Sequence, residues 1–320
     1  MGGYIIRRLL LIIPTLFLVT ITVFLLVRLI PGDVVDLMVG EQPGTAFGDK
    51  LSRAEIRHAM GLDAPAYVQY GRWLLGVFTR GDLGRSLWSN RPVVELIIEK
   101  FPVSMELGLI AIVTGLLIAL PIGVYSAMRQ DTPGDYLGRS LAIACISVPS
   151  FWLGTMVVVF PSVWWGWSPP LDYVPFFENP IANLRMFIIP GVILGMVMSG
   201  TSMRMTRTMM LEVLRQDYIR TAWAKGVNER IVILRHALRN ALIPVVTIIG
   251  LQLPVLIGGS VILEQIFSLP GMGLLLLKVI SMRDYTALSG INLIMAFLVL
   301  IINLGVDLTY GYLDPRVHYR

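Results

Sequence analysis

The chain has 320 residues, of which 55% are hydrophobic and only 15% charged, with a mean hydropathy of +0.73. A globule of that size needs more polar surface to face water, so the composition specifies a membrane protein. One cysteine, 19 prolines and 30 glycines exclude a disulfide-stapled secreted module, a collagen and a disordered chain. Cys145 lies in an apolar run and reads as a small buried hydrophobe. A net charge of +5 and a pI near 9.4 are compatible with nucleic acid, but Lys and Arg collect beside apolar runs, as membrane orientation requires. The implied partner is the lipid bilayer and not nucleic acid.

Runs near the ~20 apolar residues that a hydrocarbon core demands fall at 9–30, 103–127, 137–161, 187–203, 240–263 and 289–312, the fourth being the shortest. Arg7-Arg8 ahead of the first run resembles a signal sequence, but the run exceeds an h-region and no A-x-A site follows, so it is expected as an uncleaved first span. With the N-terminus inside, short inner segments carry fourteen Lys/Arg against three (Arg185, Lys278, Arg283) outside. The long segment from Pro31 to Phe101 is left out because such loops translocate largely regardless of charge. Both termini are therefore expected in the cytoplasm.

Within that outer segment, Ser52-x-x-Glu55 is a capping-box pattern with Gly61 as a stop, predicting a short helix with Ile56 and Met60 on one side. Pro65 after Asp63 suits the start of a second helix, in which Tyr67, Tyr70, Leu74 and Phe78 form a stripe with Trp73 beside it. This helix either lies on the outer leaflet or covers the ends of the spans.

No G-x-x-x-x-G-K-[ST], H-E-x-x-H, C-x-x-C or G-x-S-x-G occurs, and His58, His236 and His318 fall on opposite sides of the expected membrane. No catalytic, cofactor or metal site is assigned.

Residues 204–239 hold eight basic and three acidic residues, Glu212, Asp217 and Glu229. Asp217 is expected to cap a helix with an Ile219, Ala222 and Trp223 face, Gly226 to break it, and a second amphipathic helix from Asn228 to carry Ile231, Leu234 and Leu238. Two readings stand: a docking element, or a headgroup-lying loop enriched in Arg by the positive-inside rule.

The run Asp217-Tyr218-Ile219-Arg220-Thr221-Ala222-Trp223-Ala224-Lys225-Gly226, followed by Arg235-His236-Ala237-Leu238-Arg239-Asn240-Ala241-Leu242-Ile243-Pro244, resembles the EAA loop of ABC-importer permeases. It is most similar to the dipeptide/oligopeptide/nickel (and glutathione) family, first-subunit type. The resemblance extends to Leu29-Ile30-Pro31-Gly32-Asp33, Gly81-Asp82-Leu83-Gly84-Arg85-Ser86, Ser104-Met105-Glu106-Leu107, Gly258-Gly259-Ser260, Glu264-x-x-Phe267-x-x-Pro270-Gly271-Met272-Gly273, Met282-Arg283-Asp284-Tyr285 and Leu313-Asp314-Pro315-Arg316. Arg220-Thr221 stands where Glu-Ala is general, and Trp223 where a smaller or basic residue is usual.

The resemblance implies an all-α polytopic membrane protein with six transmembrane helices and a type I importer permease fold. Residues 1–102 would form the first helix plus an ordered extracytoplasmic loop, and 103–320 a five-helix permease core with coupling loop 204–239. It implies that Arg220, Thr221, Ala222, Trp223, Ala224, Lys225 and Gly226 dock on a cytoplasmic ATPase. It also implies a second homologous permease, two ATPase subunits and an extracytoplasmic binding protein in a prokaryotic inner membrane. The cargo would be peptides, or in the same class nickel or glutathione, and this chain itself would perform no chemistry.

Within the spans, Arg28 and Glu106 sit at similar depth and are expected to pair. Asp307, with Asn303 one turn earlier, snorkels or bonds a neighbouring helix. Ser147, Pro149 and Ser150 in span three, and Pro254, Gly258, Gly259, Ser260 and Glu264 in span five, mark either a translocation path or close helix packing. A secondary transporter or channel would call for a polar relay at mid-membrane, and a membrane-embedded enzyme for catalytic residues clustered at one depth.

Overall fold

The computed structural model describes residues 2–29, 35, 55, 57–58 and 62–313, with the side chains of 2–9, 26–29, 255–259, 307 and 310–313 outside that description. The capping-box helix around Ser52, Ile56, Met60 and Gly61 lies outside the described residues. So do the side chains of Arg28 and Asp307 and the motif from Asp314 onward.

Every regular element among the described residues is helical. In chain order these are α1 (Gly2–Leu29), α2 (Ala66–Arg80), α3 (Val93–Met128), α4 (Pro133–Ser147), α5 (Ser150–Trp165) and α6 (Pro180–Leu214). There follow α7 (Asp217–Ala224), α8 (Glu229–Ile231), a π-helical turn (Val232–Ala237), α9 (Leu238–Ile266), α10 (Met272–Ser281) and α11 (Tyr285–Leu313). Among the described residues, four stretches are long and apolar enough to cross a bilayer: α3, α6, Glu229–Pro254 and Tyr285–Val306. The α4 and α5 pair is a fifth if taken as one span, and α1 contributes the apolar stretch Leu10–Leu25.

The interruption expected in span three at Ser147, Pro149 and Ser150 is a break between two helices: α4 and α5 meet at an 88° bend. Pro149 causes it, because a proline disfavours helical backbone at the preceding residue, and Val148 is accordingly extended at φ −88°, ψ 120°. Span four, the shortest in the sequence, is the core of a 35-residue helix. The apolar run ends at Arg204 but the helix does not, since Arg207 further along finds a buried partner.

The chain divides into two compact units, one of Val103–Gly273 with the chain from Ile301, the other of Gly2–Pro102 with Leu274–Leu300. In the first unit α6 packs against α4 and α9. The contacts are set by glycines that let backbones approach, as membrane helices require in the absence of a hydrophobic drive between them. A Cβ on Gly195 would lie 2.7 Å from the Ala111 carbonyl oxygen, one on Gly200 2.7 Å from that of Ala142, and one on Gly154 2.7 Å from the Leu263 side chain. Around these contacts Leu107, Phe187, Leu194, Met198, Leu263, Phe267 and Leu269 form the core.

In the second unit α2 follows Pro65, as its sequence predicts, and stops at Gly81 in the left-handed region, φ 64°. Tyr70 of its stripe hydrogen-bonds Thr20 of α1 at 2.8 Å and packs edge-on to Phe24, whereas Tyr67 and Phe78 are exposed. The loop after α2 is tied down by Asp284, which accepts from the Ser86 hydroxyl at 2.6 Å, the Leu87 amide at 3.1 Å and the Ala287 amide at 3.0 Å. Trp88 donates to the Met282 carbonyl at 2.7 Å. Two motifs 200 residues apart in order of magnitude, Gly81–Ser86 and Met282–Tyr285, thus form one joint.

Candidate functional site

The segment 204–239 is helical for most of its length. The α6 helix ends at Leu214, Arg215 and Gln216 make the corner, and α7 begins at Asp217. Gln216, not Asp217, occupies the cap position, and Asp217 is the first helical residue with an exposed carboxylate that Arg220 approaches at 3.4 Å. At that position it still favours the helix through the macrodipole.

The far end of α7 closes as a Schellman turn: the Gly226 amide bonds the Trp223 carbonyl at 2.9 Å and the Val227 amide bonds the Ala222 carbonyl at 3.3 Å. Gly226 takes φ +72° with nothing within 4 Å of a would-be Cβ, so glycine is required by backbone conformation and not by space. Asn228 then caps α8, its side chain accepting from the Arg230 amide.

The expected α7 face is divided. Ile219 is wholly buried and Ala222 half-buried in a cluster with Met210, Val232, Ile233, Ala237 and Ala241, while Trp223 is 44% exposed. Asn240 donates to the Tyr218 hydroxyl at 2.8 Å, a second anchor between α7 and α9. Of the following amphipathic face, Leu238 packs against the same cluster as expected, whereas Ile231 and Leu234 are exposed and Val232, Ile233 and Ala237 are buried. What remains outward is a surface of Arg220, Trp223, Ala224, Lys225, Ile231 and Leu234, mixed cationic and apolar, on an element fixed from behind by its own chain.

The other sequence-selected residues separate into two groups. Ser260 and Glu264 are buried, and the Glu264 carboxylate accepts from Ser104 at 2.7 Å and from Ser260 at 3.0 Å, while the Met272 amide donates to Ser104 Oγ at 2.8 Å. Three motifs, from α3, α9 and the start of α10, converge here. Gly258 and Gly259 lie on α9 and Pro254 is half-buried there. Ser147 and Pro149 are exposed at the bend and Ser150 half-buried. Glu106 accepts from the Asn183 side chain at 3.1 Å, linking α3 to α6; this is the partner described for Glu106.

Two partnerships escape the sequence reading. Ser104 gives no signal beyond its motif. The pair of buried Asp135 and half-buried Arg207 does leave a trace: an acid beside a helix-starting proline between basic turns, with an arginine that topology alone counts as a surface charge.

Residues 1–108 match the family described as the N-terminal part of binding-protein-dependent transport system membrane components, and 119–319 the family described as binding-protein-dependent transport system inner membrane component. A Brucella suis biovar 1 protein provisionally named a peptide transport system permease is 44% identical over 319 residues, covering 100% of both chains. The dipeptide transport system permease proteins DppB of Alkalihalophilus pseudofirmus and Escherichia coli K12 are 38% identical over 339 and 341 residues, covering 100% and 99% of both chains. Among solved structures, an amino acid ABC transporter crystallised with histidines superposes with TM-score 0.53 at 14% identity, covering 68% of this chain and 94% of that one. The MetNI methionine ABC transporter, inward-facing, gives 0.54 at 16%, covering 69% and 97%. At those identities the structures establish a shared fold.

Proposed function

We propose that this chain, which belongs to the family of binding-protein-dependent transport system inner membrane components, is a permease subunit of an ATP-driven importer of di- or oligopeptides. Full-length similarity to peptide and dipeptide permeases supports the cargo class. In this reading six spans cross the membrane: α1, α3, the bent α4 and α5 pair, α6, the α8 to α9 rod and α11, with both termini cytoplasmic. A second permease completes the pathway, two ATPases grip the coupling elements, and a binding protein delivers cargo from outside.

The observation that carries this reading is the two-sided α7. Ile219 is buried in the cluster it shares with α6 and α9, so a force on the outward residues Arg220, Trp223, Ala224 and Lys225 is passed to both long helices. A loop lying passively in headgroups has no need of that buried anchor. ATP-driven closure of the ATPases would move these elements together and shift the population between inward- and outward-open states.

Reconstituting the chain with its second permease, ATPases and binding protein in proteoliposomes tests the function. ATP should drive uptake of a labelled dipeptide, and combining Arg220→Glu with Trp223→Ala should release the ATPases and stop uptake. Undiminished ATPase binding in that variant would remove α7 as the coupling element.

A further inference from the structure

Asp135 has no exposed surface, and its carboxylate receives four donors. Arg207 places Nε on Oδ1 and Nη2 on Oδ2, both at 2.7 Å, the Asp131 amide reaches Oδ2 at 3.1 Å, and the Ser126 hydroxyl bonds Oδ1. The acceptor is at the first turn of α4, Ser126 at the last turn of α3, and Arg207 two turns before the end of α6. The pair therefore pins three elements at one point.

The neighbouring packing leaves little slack. A Cβ on Gly123 would lie 2.7 Å from Thr206, and one on Gly138 3.4 Å from Ser126 Oγ. The remaining space is a cavity of about 20 Å³ lined by Ile122, Gly138, Met203 and Arg207 among others. A buried ion pair adds little net stability over a well-packed apolar substitute, yet losing one partner leaves an unpaired charge that the interior penalises heavily. Such a pair resists sliding: its bidentate fork admits one register between the helices.

We propose that Asp135 and Arg207 are positioning residues that make the start of α4, and through it the bend at Val148–Pro149, travel as one body with the docking helix α7. Arg207 lies seven residues, about 10 Å of helix, from the end of α6 that turns into α7. Asp135 lies 13 residues before Val148 on an uninterrupted helix. Displacement of α7 thus reaches the bend through a strut whose polar joint is this pair, with the Gly200–Ala142 contact packing α6 on α4 further along. The proposal rests on the importer reading and deepens it by assigning the transmission step.

The test uses the complete reconstituted importer and compares Asp135→Asn, Arg207→Lys and, as control, Arg204→Lys, an exposed neighbour one turn earlier. Three quantities are read: complex recovered after detergent extraction, cargo-stimulated ATP hydrolysis, and solute imported per ATP. The first two variants should assemble and hydrolyse ATP while import per ATP falls by at least about fivefold, the lower end of usual coupling between sites; Arg204→Lys should match wild type. An unchanged ratio in both variants overturns the proposal. So does failure of both to assemble, which makes the pair purely structural. A wild-type complex that imports no peptide would instead refute the cargo reading, with the ratio still readable on any solute that stimulates hydrolysis.

Discussion

Glu264 is a carboxylate without exposed surface, held by the hydroxyls of Ser104 and Ser260 in a corner where Gly271 and Gly273 press against it. A Cβ on Gly273 would stand 2.9 Å from Glu264 Oε2 and 2.7 Å from the Val261 Cα, and one on Gly271 would overlap the carboxylate itself. The side chain therefore serves as the keystone of the turn between α9 and α10. Glu264→Gln keeps an oxygen for both hydroxyls and should unfold in detergent close to wild type. Glu264→Ala removes the acceptor of the Ser104 hydroxyl, at about 1–3 kcal/mol for a buried group left unsatisfied, and Gly271→Ala forces the carboxylate aside; both should unfold at clearly lower temperature. Equal melting of all four proteins would show the corner to be slack. At Gly226 the demand is conformational. A branched residue at φ +72° costs about 1–2 kcal/mol or more, so Gly226→Val should fold and insert normally but lose ATPase binding, measured by pull-down.

Among the elements, the bend between α4 and α5 is the one whose shape depends on a single side chain. With Pro149→Ala the steric bar on helical backbone at Val148 disappears and one amide donor returns. Spin labels at Leu141 and Val159, both exposed, should then report a longer mean separation as the pair straightens, and transport should fall severalfold while assembly persists. An unchanged distance would mean that tertiary packing and not Pro149 holds the bend. The interruption was legible in the sequence at Ser147, Pro149 and Ser150, and the fold adds its angle. Hydropathy located every long apolar helix, and Pro65 with the Tyr67–Phe78 stripe located α2, because burial in lipid and helix starts are written locally. Helix continuity past Arg204 was not legible, since the energy that keeps Arg207 in place comes from Asp135, 72 residues away. The face after Asn228 was only partly legible, because which side turns inward is set by packing on α6 and α7: Leu238 packs as its spacing predicts, but Val232, Ile233 and Ala237 are buried in place of Ile231 and Leu234. The proposal that residues 220–226 dock rests on resemblance to a family; the division of α7 into an inward side, Ile219 and Ala222, and an outward side with Trp223 required the fold.

For the molecule as a whole, sidedness is the property on which the function turns, because an importer's coupling surface must face the compartment that holds ATP. The argument for it is electrostatic: fourteen Lys/Arg in one set of short segments against three in the other strongly favour holding the first set inside. On the proposed topology α6 crosses once, which would put the corner before α7 and the loop 166–179 on opposite sides. Single cysteines in a background with Cys145→Ser make this measurable. Trp223→Cys and Phe177→Cys both replace side chains exposed on this chain, 44% and 97% accessible, and expression without the ATPases keeps position 223 uncovered. In right-side-out cells a membrane-impermeant maleimide should label the cysteine at 177 at once and the one at 223 only after permeabilisation. In a Phe78→Cys variant, also at an exposed position, labelling should follow that of 177, since α2 precedes the first inward crossing of α3. Labelling of 223 in intact cells would invert the chain, detach α7 from any cytoplasmic ATPase, and leave the basic surface of Arg220 and Lys225 without the engine that the importer reading assigns to it.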